Sequence, residues 1–364
     1  MILYNTMKMF TPGPIAMDDE TLNIGGLQSQ YFRTQEFSEV LMECDTMLKK
    51  ILDAPEGART IFLTASGTAA MEATVINLFT AKDRVLVLNG GTFGERFKKI
   101  CEVHTISCES IDLKWNEAFN PAMLGKYTDC GITGMLINMC ETSTGQLFPI
   151  DVIAKFCKRN KICLVVDAIS AFLSDPFSMV KSGADAVIIS SQKGLGLHPG
   201  MAFVVITEKA FNNRVASSDV RSLYFDFKNY CADILRGQTP YTVAVNIINQ
   251  LHEKLQRLTM KGISESIDHI ANLAKHFRQC ISCQDYFTIP DYYPLSNSLT
   301  PIYCPQNDAK QVFDYLLNQN IYITPCAGEI SQFLFRIAHM SQKLGTEDID
   351  DLVKLLKKSR ENQL

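Results

Sequence analysis

Ala186-Val187-Ile188-Ile189-Ser190-Ser191-Gln192-Lys193-Gly194 decides the fold, read with Ile162-Cys163-Leu164-Val165-Val166-Asp167-Ala168-Ile169-Ser170 before it and Ala202-Phe203-Val204-Val205 after it. Each segment opens with a continuous apolar run of strand length. Runs of that kind, rather than alternating ones, belong to strands covered on both faces. Working outward, Thr60 to Leu63, Arg84 to Leu88 and Ile132 to Ile137 repeat the pattern, with helical patterns between them. The expectation is an α/β domain in which helices wind a mostly parallel sheet.

Beyond Pro240 the pattern changes. Thr242 to Leu258 carries apolar positions at helical spacing and reads as a helix bridging two domains. The tail then reads as a smaller α/β unit. Its elements are a helix near Ile263 to Cys280, strands around Ser298 to Tyr303, Ile321 to Ile323 and Phe333 to Ile337, and a closing helix from Thr346. Thr346-Glu347-Asp348 puts acids into the first turn of that last helix, with lysines in its last turn. A chain of 364 residues exceeds the size at which one core keeps growing. We therefore expect an arm over residues 1–20, a large domain over 21–245 and a small C-terminal domain over 246–364 that includes the bridging helix.

Composition excludes several classes. A net charge of −4 leaves no basic footprint for nucleic acid, and no apolar run approaches the roughly 20 residues of a membrane helix. Lys8 interrupts the apolar N-terminus and Thr11-Pro12-Gly13-Pro14 follows it, so no secretory signal is read. The cysteines are scattered through strands and helices, as buried hydrophobes in a reducing, cytoplasmic compartment are. Cys280 and Cys283 form one Cys-x-x-Cys with no second pair for zinc and no strand-turn-helix redox context. The histidines show no ligand spacing either, and His198 reads as structural, so no metal is expected.

Ligands of open α/β sheets bind beyond the carboxyl ends of the strands, which directs attention to polar residues that follow apolar runs. Thr64-Ala65-Ser66-Gly67-Thr68-Ala69-Ala70 opens a helix whose free amides suit a phosphate, although an ordinary capped helix start reads equally well. Asp167 at its strand end is a helix cap, a metal ligand or the partner of a buried cation. Lys193, at the end of a buried strand among small polar residues, is a Schiff-base candidate. One helix and one strand separate Asp167 from Lys193, which brings both to the same sheet edge, and together they suit a pyridoxal site. Asp167 would keep a pyridine nitrogen protonated, and Lys193 would move a proton as general base and acid. In Phe333-Leu334-Phe335-Arg336-Ile337 an arginine interrupts an apolar strand, where it serves a structural ion pair or binds a carboxylate or phosphonate in two-point fashion.

Taken in order, Phe10-Thr11-Pro12-Gly13-Pro14, Ser66-Gly67-Thr68, Glu141-Thr142-Ser143-Thr144-Gly145, Val166-Asp167-Ala168, Ser191-Gln192-Lys193, Gly237-Gln238-Thr239-Pro240-Tyr241-Thr242 and Phe335-Arg336-Ile337 resemble the class V aminotransferases of fold type I. The resemblance is to the subgroup of alanine:glyoxylate, serine:pyruvate and 2-aminoethylphosphonate:pyruvate aminotransferases. It implies a pyridoxal 5'-phosphate-dependent transferase with a mostly parallel seven-stranded sheet sandwiched by helices and a smaller C-terminal α/β domain. It implies a homodimer that moves an amino group from alanine, serine or 2-aminoethylphosphonate to pyruvate or glyoxylate by a ping-pong mechanism.

Carried over residue by residue, the resemblance makes Lys193 the Schiff-base lysine and Asp167 the pyridine-nitrogen partner, with Ile169 packed under the ring. Ser66, Gly67 and Thr68 would meet the cofactor phosphate, helped by Gln192 and by Thr242 from the other subunit. Phe93, in Gly91-Thr92-Phe93-Gly94-Glu95-Arg96, stands where an aromatic stacks on the ring. Thr142 matches the residue that contacts the phenolic oxygen, and Arg336 the one that binds the substrate carboxylate. Ser191-Gln192-Lys193-Gly194 with Pro199-Gly200 resembles the alanine or serine:glyoxylate branch, and Arg221-Ser222-Leu223 the aminoethylphosphonate branch. Ala338 and His339 depart from the glycine that commonly follows the arginine motif.

Two rivals share the fold. A cysteine desulfurase-like carbon–sulfur lyase would use a loop cysteine, for which Cys326 lies in the right region, but Gln192 and Phe93 stand where such lyases resemble one another in histidines. A catalytically inactive binding protein would not need to keep both Lys193 and Asp167.

Overall fold

Seven strands hydrogen-bond in the order Arg59–Leu63, Ala202–Ile206, Ala186–Ser190, Cys163–Asp167, Gly134–Asn138, Arg84–Asn89 and Ser107–Asp112. This computed structural model describes residues 7–283, 286–326 and 328–361. Residues 1–6 of the expected arm and residues 362–364 of the expected C-terminal domain lie outside the described residues. All neighbouring strands are parallel except Ala202–Ile206, which runs against both its neighbours. The sheet is thus mostly parallel, as the uninterrupted apolar runs require.

Alternate residues of each strand enter opposite cores. Leu86, Met135, Leu164, Val187 and Phe203 pack on one face with the Gln35–Ile51 and Val245–Lys261 helices. Val85, Leu136, Val165, Ile188 and Val204 pack on the other with the Gly67–Leu78 and Thr92–Val103 helices. The Ser107–Asp112 strand was not among the expected runs. It lies at the sheet edge, is exposed or half-buried except at Ile111, and so carries polar residues that mask its pattern.

The bridging helix spans Val245–Lys261 rather than Thr242 to Leu258. Its start is delayed because the Ala244 N–H donates to Thr64 Oγ1 at 3.1 Å, which fixes residues 242–244 as a connector. Gly262, with a φ of 89°, ends it and allows the Ile263–Ser282 helix to begin at once. The C-terminal part contains the antiparallel sheet Leu299–Tyr303, Leu334–Ala338 and Thr324–Pro325. Its own core holds Phe277, Ile302, Phe335, Leu352 and Leu356. The segment expected as a strand over Ile321 to Ile323 pairs only through Ile321–Tyr322, and its partner is the N-terminal Lys8–Met9 strand. The closing helix is Thr346–Glu361, with Asp348 Oδ2 accepting from the Gly345 N–H at 2.9 Å. Among the described residues no helix is long and apolar enough to cross a membrane.

Candidate active site

Asp167 and Asn138 end adjacent parallel strands, and the register sets them opposite each other. The Asn138 amide donates to Asp167 Oδ2 at 2.6 Å, and the Ile169 N–H donates to Oδ1 at 2.8 Å. Burial pushes the Asp167 carboxyl up to about 6, against the pull of these two hydrogen bonds; Glu141 adds to the rise and Lys193 opposes it. The carboxylate is therefore fixed in direction and ionised at neutral pH. Asn138 Oδ1 is buried with no partner among the described residues.

Lys193 lies three residues past the Ala186–Ser190 strand, on a turn closed by Gly196 N–H to Lys193 O at 2.7 Å and Leu197 N–H to Ser191 O at 2.9 Å. Its Nζ donates to the Pro12 carbonyl at 2.5 Å. A side chain at Gly13 would collide with the lysine stem, so the N-terminal arm closes over it only as glycine. Burial pushes the Lys193 amine down to about 8; Asp167 opposes this, while the cations Arg336 and Arg96 assist it. An amine of that kind gives up its proton far more readily than an ordinary lysine, as a nucleophile or base requires.

The surrounding predicted residues fall into two groups. Gly67 is buried and meets Ile169, whose Cδ1 would lie 2.7 Å from a side-chain carbon placed there, so a larger residue would fill this floor. Ser66 and Thr68 are exposed at the start of the Gly67–Leu78 helix, where Ser66 Oγ accepts from the Ala69 N–H at 3.3 Å. The first-turn N–H groups of that helix have no intrahelical acceptor. Thr142 Oγ1 shares a 2.6 Å hydrogen bond with Ser170 Oγ. Gln192 is half-buried, with Ser191 Oγ 3.5 Å from its Oε1. Thr242 is exposed, on the connector before the bridging helix.

Phe93 sits in the first turn of the Thr92–Val103 helix, and its placement depends on Glu141, a residue assigned no role of its own from the sequence. The helix has no side-chain cap of its own; instead the buried Glu141 carboxylate accepts from the N–H groups of Phe93, Gly94 and Ser143 at 3.1 to 3.3 Å. Arg96 lies 4.6 Å over the Phe93 ring and donates to Thr68 Oγ1 at 2.9 Å, which brings a cation to the start of the Gly67–Leu78 helix. Asn138 could have been found by the strand-end rule that found Asp167. Pro12 acts through its backbone and leaves no side-chain signal.

Arg336 projects from the Leu334–Ala338 strand. Its Nη1 donates to the Thr142 carbonyl at 2.8 Å and its Nη2 to the Pro325 carbonyl at 2.7 Å. Its Nε is buried without a partner, and among the described residues no carboxylate pairs with it. The structural ion pair considered for this arginine is thus replaced by two backbone clamps. Next to it, burial pushes the Cys326 thiol up, which is the opposite of what a nucleophilic thiolate needs. A separate cavity of about 880 Å³ lies behind the lysine turn, lined by Gly194, Gly196 and the Lys254 and Arg257 side chains, but both of these cations are paired with Asp18.

A profile of the class V aminotransferases matches residues 18–355. The chain is a class V aminotransferase. It is 29% identical over 341 residues to an uncharacterised aminotransferase of Methanocaldococcus jannaschii, covering 91% of this chain and 87% of the relative. It is 26% identical over 263 residues to a 2-aminoethylphosphonate–pyruvate transaminase of Vibrio vulnificus, covering 71% of each. An alanine–glyoxylate aminotransferase of Nostoc superposes with a TM-score of 0.90 at 23% identity, over 97% of this chain and 95% of that one. This class V aminotransferase uses pyridoxal 5'-phosphate, the family's cofactor. Its residues fit that group: a buried directed carboxylate, a lysine with a lowered pKa, a glycine floor against Ile169 and helix N-termini on the same sheet edge.

Proposed function

We propose that this aminotransferase moves an amino group from a small acidic donor, alanine, serine or 2-aminoethylphosphonate, to pyruvate or glyoxylate in two half-reactions. The observation that carries the reading is the guanidinium of Arg336, clamped by the Thr142 and Pro325 carbonyls and free of any carboxylate among the described residues. A cation already aligned and lacking a counter-ion binds a carboxylate or phosphonate by charge-assisted hydrogen bonds, roughly twice as strong as neutral ones.

Lys193 would hold the cofactor through its amine, Asp167 would meet the pyridine nitrogen, and Ile169 and Phe93 would flank the ring. Thr142 would meet the phenolic oxygen. Ser66, Gly67, Thr68 and Gln192 would surround the phosphate with Thr242 of the partner subunit, in a homodimer. When bound, pyridoxal 5'-phosphate supplies an electron sink for the charge left at the donor's α-carbon. Asp167, whose pKa is pushed up to about 6 and which is held by Asn138, would keep a proton on the pyridine nitrogen. Lys193 Nζ, whose pKa is pushed down to about 8, would serve as the general base and acid that moves the donor's α-proton. The arm around Pro12 and Gly13 covers the lysine and limits the entry of water.

The division into an arm over residues 1–20, a large domain over 21–245 and a small domain over 246–364 suits this role, because the substrate arginine and the lysine then come from different domains. The cytoplasm suits the chain's free cysteines. Rapid-mixing absorbance of the purified holoenzyme tests the proposal. Alanine, serine or 2-aminoethylphosphonate should convert the cofactor chromophore to its amine form, and pyruvate or glyoxylate should restore it. A panel in which none of these donors changes the spectrum would overturn the substrate assignment.

A further inference from the structure

The Cys-x-x-Cys that the sequence leaves without a partner acquires two in space. His276 and Cys280 are four residues apart on the Ile263–Ser282 helix and therefore share a face. Against that face packs the Thr346–Glu361 helix, which presents Asp350. His276 Nε2 lies 2.7 Å from Asp350 Oδ1 and 3.9 Å from Cys280 Sγ, and the three candidate ligand atoms all lie within 4.8 Å of one another.

We propose that His276, Cys280 and Asp350 form a binding site for a borderline-soft divalent cation, represented by Zn²⁺, outside the active site. One imidazole, one thiolate and one carboxylate are a zinc donor set, and the sulfur ligand disfavours Mg²⁺ and Ca²⁺. With bonds of about 2.0 to 2.3 Å, tetrahedral zinc ligands stand roughly 3.3 to 3.6 Å apart. The observed separations straddle that spacing. Relative to His276 Nε2 the carboxylate must move out and the thiol move in by about half an ångström, and the thiol and carboxylate, within 4.8 Å of each other, must come to the same spacing, by side-chain rotation on helices that stay in place.

Each ligand residue is part-buried, so solvent reaches the site and the fourth position is left to water. The cation would replace the hydrogen-bonded His276–Asp350 pair by a clip between two helices of the C-terminal core. Because the folded chain holds the three ligands together and the unfolded chain does not, binding stabilises the folded state by mass action.

The test is calorimetric titration of metal-stripped holoenzyme with Zn²⁺, followed by visible absorption with Co²⁺ as a spectroscopic probe. Wild type should take up one equivalent with a dissociation constant on the order of 1 μM or tighter, and its Co²⁺ form should show tetrahedral bands with thiolate charge transfer. Cys280→Ser, with Cys283 left in place, and His276→Ala should each bind at least about tenfold more weakly, and Cys280→Ser should lose the charge-transfer band. Both variants should keep wild-type transaminase activity, which shows that they fold. Absence of a stoichiometric Zn²⁺ site in wild type, or unchanged affinity in both variants, would overturn the proposal.

Discussion

The ammonium of Lys193 donates to the backbone carbonyl of Pro12 at 2.5 Å, joining the turn after the Ala186–Ser190 strand to the N-terminal segment. That contact makes Lys193 a group whose position is set before any ligand arrives. We expect Lys193→Ala to retain cofactor binding and to lose turnover by roughly a thousandfold or more, the scale of lost proton transfer. Borohydride treatment of the wild type, followed by peptide mapping, should place the cofactor on Lys193. A label on another lysine would refute the assignment.

Arg336 should matter for the substrate more than for the cofactor. Arg336→Ala is expected to lower kcat/KM by about 2 to 4 kcal/mol in both half-reactions, the usual cost of truncating one partner of a buried charge pair. Arg336→Lys should recover part of this, because an ammonium cannot make the planar two-point contact. Cofactor affinity, measured alongside, should stay near wild type. Unchanged kinetics in the alanine variant would return the acid-binding role to another residue.

The lowered pKa of Lys193 predicts a pH-dependent stability of the cofactor-free protein. The folded value of about 8 lies below the ordinary 10.5, so between these values the unfolded chain binds more protons and the Lys193 contribution to stability rises with pH. Burying the charged amine costs most below pH 8. Lys193→Met should therefore stabilise the cofactor-free protein at pH 7, on the order of 1 to 3 kcal/mol, and the gain should shrink toward pH 10. Urea unfolding at the two pH values measures this, and an equal difference at both would exclude the linkage.

Glu141 positions Phe93, the residue proposed to stack on the cofactor ring, through the backbone. Glu141→Ala removes the acceptor for the Phe93, Gly94 and Ser143 N–H groups and should cost about 2 to 4 kcal/mol of stability, as loss of a buried charged acceptor does. Cofactor affinity should fall with it. Denaturant unfolding and cofactor titration check the two effects, and a variant that loses stability but keeps wild-type cofactor affinity would dissociate the cap from the site.

If Thr242 serves the other subunit, activity requires association. Sedimentation velocity at micromolar concentration should give a dimer, and Thr242→Ala should weaken cofactor binding without dissociating it. A fully active monomer would dismiss the shared site.

Six of the seven strands of the sheet were legible, the edge strand Arg59–Leu63 among them, because a strand buried on both faces writes a continuous apolar run. Ser107–Asp112, the other edge, was not, since it is exposed or half-buried except at Ile111 and carries polar residues. Lys193, Asp167 and Arg336 were legible for a related reason, each being a charge set against an apolar run. What local pattern cannot encode is partnership. The carbonyls of Pro12, Thr142 and Pro325 act without side chains, Glu141 caps a helix that begins 49 residues before it, and Asp350 reaches His276 across 74 positions.

The Lys8–Met9 strand has its hydrogen-bonding partner in Ile321–Tyr322, 313 positions further along the chain. It therefore waits while everything between the two is synthesised. The central sheet can assemble from segments already emerged, but the arm that carries Pro12 and Gly13 over the lysine cannot be anchored until the C-terminal part is made. A nascent chain stalled after Ile206 holds the strand that leads into Lys193 and lacks the anchor for its cover, so translation itself delays closure over the lysine until Ile321–Tyr322 have emerged.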